Sequence, residues 1–130
     1  MRIISGSHRG LKLLAPAKLP VRPTTDMAKE ALFNIIEQKV NIDEIEVLDL
    51  FAGTGNISFE FSSRGVKSIT SIDRNADCVK FIIDTNQKLK FNSNVIRGDV
   101  FKYLKTCSQK FDLIFADPPY DLPNIPEIVM

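Results

Sequence analysis

The sequence predicts an α/β protein built on a doubly wound parallel sheet. From Ile45 onward, short segments rich in Val, Ile, Leu and Phe alternate with segments of helical periodicity. Apolar strands that alternate with helices are typical of a parallel sheet with helices on both faces. A glycine-rich turn, Gly53-Thr54-Gly55, follows the first of these strands, where such sheets bind their ligands.

Each element has its own local signal. Thr24 and Thr25 are candidate N-caps for the first helix, and Asp26 suits its first turn. Its predicted apolar face consists of Ala28, Ala31, Leu32, Ile35 and Ile36. Strands are predicted at 46–51, 68–73, 93–97 and 111–116, and helices at 26–39, 56–63, 75–89 and 100–106. The connections are expected to be right-handed crossovers.

Residues 1–22 are predicted to form a basic N-terminal arm containing a β-hairpin. Arg2-Ile3-Ile4 and Lys12-Leu13-Leu14 flank a glycine-bearing loop. Before Asp26 the chain has five Lys or Arg residues and no acid, whereas the remainder has twelve basic and sixteen acidic residues. A basic arm on a mildly acidic body indicates contact with a polyanion, and a solvated basic terminus is the alternative.

The 130 residues are predicted to form a single domain, 1–130, with the arm at 1–22 and the core at 23–130. The sequence has no membrane-length apolar run and no signal-peptide pattern, so the expected location is the cytoplasm. Cys78 and Cys107 are isolated, so both are expected to be reduced and packed. No metal site is expected.

The last predicted strand, 111–116, is followed only by Asp117 to Tyr120 and a proline-spaced tail that ends at Met130. A parallel sheet of four strands would have an uncovered edge strand and a partly uncovered face. We therefore expect either that the chain is a fragment of a longer protein, which is the favoured interpretation, or that another chain covers this edge. A stable chain is expected to self-associate through the fourth strand.

Acidic or glycine-rich segments follow all four predicted strands, and these strand ends meet at one edge of a parallel sheet. The turn at 53–55 lets a ligand approach the backbone, and its N–H groups favour an anion, with a purely structural glycine turn as the alternative. Asp73 can accept both ribose hydroxyls of a nucleoside, or else cap the next helix before Asn75. Asp99 can bond the amine of adenine, or cap the helix that begins near Val100.

Asp117-Pro118-Pro119-Tyr120 discriminates among the ligands that such a turn can bind. Two prolines lack N–H donors and restrict φ, so carbonyl oxygens remain as rigid acceptors. Asp117 adds an acceptor, and Tyr120 a ring on which a base can stack. Two acceptors that hold the hydrogens of an exocyclic amine out of plane would localise its lone pair. The stretch therefore predicts a pocket for a planar amine, and a Pro-Pro turn that only ends the strand is the alternative.

The sequence resembles a known family through these stretches. Leu48-Asp49-Leu50-Phe51-Ala52-Gly53-Thr54-Gly55, Asp73 and the DPPY stretch are similar to S-adenosylmethionine-dependent class I methyltransferases of exocyclic amines. Arg2 to Gly6, Arg22 to Asp26 and Lys29 to Asn34 resemble the RsmD-type 16S ribosomal RNA guanine-N2 methyltransferases. The resemblance covers essentially all of the chain. It implies a Rossmann-like sheet of seven strands, of which this chain has the first four.

The resemblance also implies the site and its partners. The cofactor S-adenosylmethionine would lie near Asp49, Phe51, Ala52, Gly53, Thr54, Gly55, Asp73, Arg74, Asp99 and Val100. The catalytic group would be Asp117, Pro118 and Tyr120, with Pro119, Arg2, Arg9, Lys12 and Arg22 binding the substrate. That substrate would be 16S rRNA or an assembling small ribosomal subunit, with the target guanine flipped out of its stack.

Three other functions are weighed against this one. Methylation of adenine N6 in DNA or RNA uses the same kind of amine pocket. Nicotinamide-dependent oxidoreduction would explain Gly53 and Gly55, but Ser58 stands where a third glycine is expected. The chain can also be an inactive cofactor-binding or nucleic-acid-binding fragment.

Overall fold

The computed structural model describes residues 1–19 and 24–118, and within them a four-stranded parallel sheet is flanked by helices. The strands are β1 (Glu46–Leu50), β2 (Ser68–Asp73), β3 (Asn94–Arg97) and β4 (Leu113–Ala116). The α-helices are α1 (Asp26–Lys39), α2 (Asn56–Ser63), α3 (Ala76–Leu89) and α4 (Val100–Thr106). A short 3₁₀ turn, Ile42–Glu44, precedes β1. The predicted α/β class is confirmed.

Three helices and β2 have the predicted bounds, β3 begins at Asn94 instead of 93, and the three other differences have local causes. Helix α3 begins one residue later than predicted because Asn75 is its N-cap. Strand β1 ends at Leu50, since Phe51 has a φ of 56° that no extended strand can accommodate. Strand β4 begins at Leu113 instead of 111. There the carboxylate of Asp112 accepts the N–H of Glu46, at 2.8 Å, in place of a ladder bond.

The order of the strands in the sheet is β3-β2-β1-β4, and all neighbours are parallel. The chain therefore winds outward from β1 through β2 to β3, then crosses back to place β4 on the other side of β1. The winding reverses between β1 and β4, so the crevice beyond the carboxyl ends of these two strands is the expected ligand site.

The sheet has an apolar core on each face. On one face, Val47 and Ile69 pack with Phe33 of α1 and Phe61 of α2. On the other, Leu48, Leu50, Ile72 and Val100 of α4 form a second cluster. The alternation of residues along β1 separates these sets, because successive side chains of a strand point to opposite faces. The two clusters explain why β1 is apolar apart from Glu46 at its start and Asp49.

The predicted apolar face of α1 is wrong in part. The buried residues of this helix are Lys29, Phe33 and Ile36, whereas Ala28, Ala31 and Ile35 are exposed. The reason is that α1 packs against α2, where the rings of Phe33 and Phe61 meet edge to face with centroids 4.6 Å apart. The buried face of α1 includes a lysine. The apolar residues alone therefore predict a face that is rotated about the helix axis from the one that is buried.

The N-terminal arm forms the predicted hairpin over Met1–Leu13. Backbone bonds from Ile3 to Leu11 and from Leu13 to Met1, each 2.9 Å, join its two sides. The hairpin lies along α2, which is why almost every residue of that helix is buried. Gly6 meets α2 so closely that a Cβ there would lie 1.9 Å from the carbonyl oxygen of Ser63.

Neither cysteine forms a disulfide. Cys78 is buried as expected and Cys107 is half-buried. Burial raises the pKa of the Cys78 thiol to about 11. Among the described residues, no helix combines the length and the apolar character needed to cross a bilayer.

Candidate active site at the carboxyl edge of the sheet

The glycine turn and Asp117 lie at the same edge of the sheet. Leu50 of β1 is level with Ile72 of β2 and with Ala116 of β4. Asp73 and Asp117 are each one residue beyond that level, and neighbouring strands are about 4.8 Å apart. The turn after β1 and the segment after β4 therefore border the crevice at which the winding reverses.

The turn is closely packed on its inner side. Gly53 and Gly55 have φ values of 59° and 83°, in the region that favours glycine. A Cβ on Gly55 would lie 2.9 Å from both Ile82 and Phe59. Gly55 is also the N-cap of α2, so the first N–H groups of that helix are directed toward the turn. The local structure is that of an anion-binding turn.

Asp73 holds this turn in place. Its Oδ1 accepts the N–H of Gly53 at 3.1 Å, and its Oδ2 accepts the N–H of Asn75 at 3.0 Å. Helix α3 is capped instead by Asn75, whose side chain accepts from Asp77 and Cys78. Each carboxylate oxygen can accept a second bond, so Asp73 is able to bind two hydroxyls while it supports the turn.

The side chain of Asp49 lies inside the protein and not at the crevice, where a contact with the cofactor was expected. Because it alternates with Leu48 and Leu50, its side chain points toward α2, where its carboxylate accepts the hydroxyl of Ser58 at 2.6 Å. Ser58 in turn bonds Ser71 of β2 at 2.6 Å. The side chain is 1% exposed, so it supports α2 from inside and offers no surface to a bound molecule. Burial, with the nearby charges of Asp73 and Asp117, raises the pKa of Asp49 to about 7.

The end of β3 contributes Asp99, which caps α4 by accepting the N–H of Lys102 at 3.0 Å. The capping interpretation of this residue is therefore confirmed, and its contact with adenine stays a prediction. Val100 is buried in the cluster beneath, which leaves its backbone as the part that can face a ligand. Arg74 is exposed at the same edge, directly after Asp73.

Asp117 is exposed and Pro118 half-buried at the end of β4. The charge of Asp117 contributes to the raised pKa of Asp49, which agrees with its place beside β1. Pro119 and Tyr120 lie outside the described residues, as does Arg22. Their predicted contacts with a base and with the substrate stay predictions.

The basic residues of the arm are not all near this edge. Arg2 forms an ion pair with Asp26 at 3.3 Å, and Lys12 faces Arg2 across the hairpin. Arg9 belongs to the hairpin loop, beside Ser63 at the other end of α2. Since α2 has eight residues, these two ends are about 12 Å apart. Arg2 and Lys12 lie toward the crevice, and Arg9 lies toward the opposite edge of the sheet.

That opposite edge has a cavity of about 310 Å³. Its lining includes His8 of the arm together with Lys67 and Lys90, which follow α2 and α3. It is separate from the crevice because helices that follow parallel strands end at the edge where the next strand begins. Within residues 1–19 and 24–118, no group of three or more Asp, Glu, His or Cys side chains is placed to hold a metal ion.

A buried ionic cluster formed by Lys29, Glu60 and Arg64 was not predicted from the sequence. Lys29 bonds Glu60 at 3.1 Å, and Arg64 bonds Glu60 at 2.8 Å. One signal was available, because Lys29 has the i, i+4, i+7 spacing of Phe33 and Ile36 and Glu60 is flanked by two phenylalanines. That signal does not identify which charges pair.

Comparison with known proteins places this arrangement in a family. The family profile described as Conserved hypothetical protein 95 matches residues 1–130. Ribosomal RNA small subunit methyltransferase D of Escherichia coli is 33% identical over 121 residues, which is 92% of this chain and 60% of that protein. The chain belongs to the RsmD-type methyltransferase family.

Two further similar proteins have names that agree with this assignment. The putative rRNA methyltransferase YlbH of Bacillus subtilis is 37% identical over 125 residues, covering 92% of this chain and 67% of that protein. The solved structure of the putative methyltransferase yhhF from Escherichia coli superposes with a TM-score of 0.86 at 34% identity. It covers 98% of this chain and 68% of that one. The chain thus spans about 60% to 67% of the length of these curated relatives.

Proposed function

We propose that this chain carries out S-adenosylmethionine-dependent methylation of the exocyclic N2 amine of a guanine in 16S rRNA. The observation that carries the proposal is that the Gly53–Gly55 turn and Asp117 border one crevice, on the two sides of the switch between β1 and β4. A methyl donor on one side and an amine acceptor on the other would then meet. Relatives named ribosomal RNA small subunit methyltransferase D support the substrate class.

The donor side is built by β1, β2 and the turn. S-adenosylmethionine supplies an electrophilic methyl group on a sulfonium. The first N–H groups of α2 suit its carboxylate, and Asp73 has acceptor capacity left for the ribose hydroxyls. Phe51, Ala52 and Thr54 would complete the wall of the turn, with Arg74, Asp99 and the backbone of Val100 beside the adenine. Asp49 would act indirectly by fixing α2.

The acceptor side is assigned to the segment after β4. Asp117 and the carbonyl of Pro118 would accept the two hydrogens of the amine and localise its lone pair toward the methyl group. Pro119 would stiffen this segment and Tyr120 would stack on the guanine. Such a site acts by positioning, and the base must leave its stack to enter it.

The arm would hold the RNA outside the crevice. On the side of the crevice the arm has Arg2 and Lys12, and Arg22 precedes α1 in the sequence. Arg9 extends the basic surface along α2. Contacts of this kind bind phosphates without reading sequence. The substrate is either naked 16S rRNA or an assembling small ribosomal subunit, and the location that fits this substrate is the cytoplasm.

The test is transfer of labelled methyl groups from S-adenosylmethionine into purified 16S rRNA and into DNA, followed by nucleoside analysis. Label in N2-methylguanine supports the proposal. Label in N6-methyladenine would replace it with the adenine alternative. Absence of transfer, with S-adenosylhomocysteine bound in calorimetry, would leave a cofactor-binding fragment as the function.

We also propose self-association through β4. Among the described residues this strand pairs only with β1, and its Ile114 is 56% exposed. An unpaired parallel edge with an exposed branched side chain is a template for a second copy. Light scattering is expected to give a mass above that of the 14.6 kDa chain, and a well-behaved monomer would contradict the proposal.

A further inference from the structure

Lys29 is a buried cation that connects three segments of the chain. Its side chain is 1% exposed, although lysine is among the residues that are least often buried. Its Nζ donates to the carbonyl of Arg2 in the arm at 2.6 Å and to Oδ1 of Asn56 at 2.8 Å. The third contact is Oε1 of Glu60, at 3.1 Å. An ammonium group has three donors, and here each has a different acceptor.

Glu60 completes the connection from the α2 side. Its Oε1 accepts the N–H of Ile4 at 2.9 Å, and its Oε2 accepts the N–H of Ser5 at 3.1 Å. Arg64 donates to Oε2 as well, at 2.8 Å. Burial disfavours the charge of Glu60, but these donors and Lys29 together lower its pKa, while burial lowers the pKa of Lys29. The arm is thus held by a carboxylate whose oxygens are fully used.

Stability alone does not account for such an arrangement. A buried ion pair can often be replaced by apolar residues of similar volume with no loss of stability. Apolar residues, however, cannot form directional hydrogen bonds that join particular atoms of separate segments. The bonds of Lys29 join the second residue of the arm to Asn56, which is the first residue of α2 and follows Gly55 immediately.

We propose that Lys29 is a positioning residue that fixes the arm to the Gly53–Gly55 turn, so that both move as one unit. The donor-binding role of the turn rests on the proposed function, whereas the mechanical link does not. In this arrangement, a molecule bound at the turn steadies the arm, and the arm holds the turn in its binding geometry.

The test compares Asn56→Ala with Ser63→Ala. Asn56→Ala removes the bond to Lys29 at the turn, together with a long contact of 3.5 Å to Thr24. Ser63→Ala likewise removes two bonds, but these join the arm directly, to Ser5 at 2.6 Å and from His8 at 3.0 Å, at the far end of α2. Lys29→Met is the third variant. It leaves polar groups without partners and can fail to fold, so Asn56→Ala carries the test.

Amide hydrogen exchange without any ligand is the first measurement. The N–H groups of Gly55 and Phe59, bonded to Ala52 and Gly55, report on the turn. Asn56→Ala is expected to speed their exchange ~10-fold, as the loss of one buried hydrogen bond implies. Ser63→Ala is expected to leave it within about 2-fold. Equal exchange of these amides in the two variants would overturn the link.

The second measurement adds S-adenosylhomocysteine. Binding should slow exchange at Ile3 and Leu13 of the arm in the unmodified chain and in Ser63→Ala, but not in Asn56→Ala. Calorimetry should show its affinity reduced ~3- to 10-fold in Asn56→Ala only. Protection of the arm that persists in Asn56→Ala would refute the proposal. If the unmodified chain does not bind S-adenosylhomocysteine, the donor assignment fails, and the ligand-free exchange still decides the role of Lys29.

Discussion

Replacement of the buried Asp49 by asparagine should remove a large part of the pH dependence of stability. The pKa of Asp49 is raised from 3.8 to about 7, chiefly by burial. Between these values the folded chain keeps a proton that the unfolded chain has lost. The contribution of this group to the free energy of unfolding is therefore highest below pH 4, falls as the pH rises toward 7, and is constant above that.

The size of this change in the free energy of unfolding follows from the difference between the two pKa values of Asp49. Each pH unit is worth roughly 1.4 kcal/mol, so the unmodified chain should lose about 4 kcal/mol between pH 4 and pH 8 through this one group. The side-chain amide introduced by Asp49→Asn does not titrate, and its oxygen can still accept from Ser58. The charges of Asp73 and Asp117 add to the burial effect and are present in both proteins.

The assay is urea unfolding of both proteins at several pH values from 4 to 8. Other acids titrate over this range, so the relevant quantity is the difference between the two stability curves. Asp84→Asn, at an exposed position on α3, is the matched control and should follow the unmodified chain. Parallel curves for Asp49→Asn and the unmodified chain would refute the reasoning, since they would mean that Asp49 is ionised throughout.

Three further outcomes are expected. Asp117→Ala should lower kcat for methyl transfer by at least ~10²-fold, because it removes a proposed acceptor of the amine. The calorimetric affinity for S-adenosylhomocysteine should stay within about 2-fold of that of the unmodified chain. Unchanged transfer would disprove the role of Asp117. Gly55→Ala should cost ~1–2 kcal/mol more in urea unfolding than Gly10→Ala. Both glycines have a φ of 83°, but only at Gly55 does a Cβ meet neighbours at 2.9 Å, so equal losses would contradict the packing. Arg9→Ala should weaken RNA binding and reduce the slope of log affinity against log salt by ~1, and an unchanged slope would remove Arg9 from the RNA contact.

The helices could be predicted closely because their ends carry local signals. Thr25, Asn75 and Asp99 each accept backbone N–H groups at a helix start, as their residue types indicate. The parallel sheet was predicted from the alternation of strands and helices, whereas the order of its strands, β3-β2-β1-β4, was not predicted. The place of Asp73 beside Gly53 followed from the same topology.

Other features depend on contacts between distant segments and could not be predicted. The burial of Lys29 requires Glu60, Asn56 and the arm together, and each of these is polar or ambiguous in its own segment. Asp49 lies under α2 because it alternates with Leu48 and Leu50 along β1, so its side chain points to the face that α2 covers. A strand-end carboxylate that faces inward has the same local sequence as one that faces a ligand.

The return of β4 to the far side of β1 has a consequence for the order in which the protein is made. The hairpin and the residues of the proposed donor side leave the ribosome before Leu113 does, so those parts can assemble first. Until β4 is synthesised, one edge of β1 is unpaired, because its partner strand lies more than sixty residues downstream. Closing so long a loop is slow. The newborn chain thus acquires its proposed donor side before its proposed acceptor side, and the final docking of one short strand brings the two together.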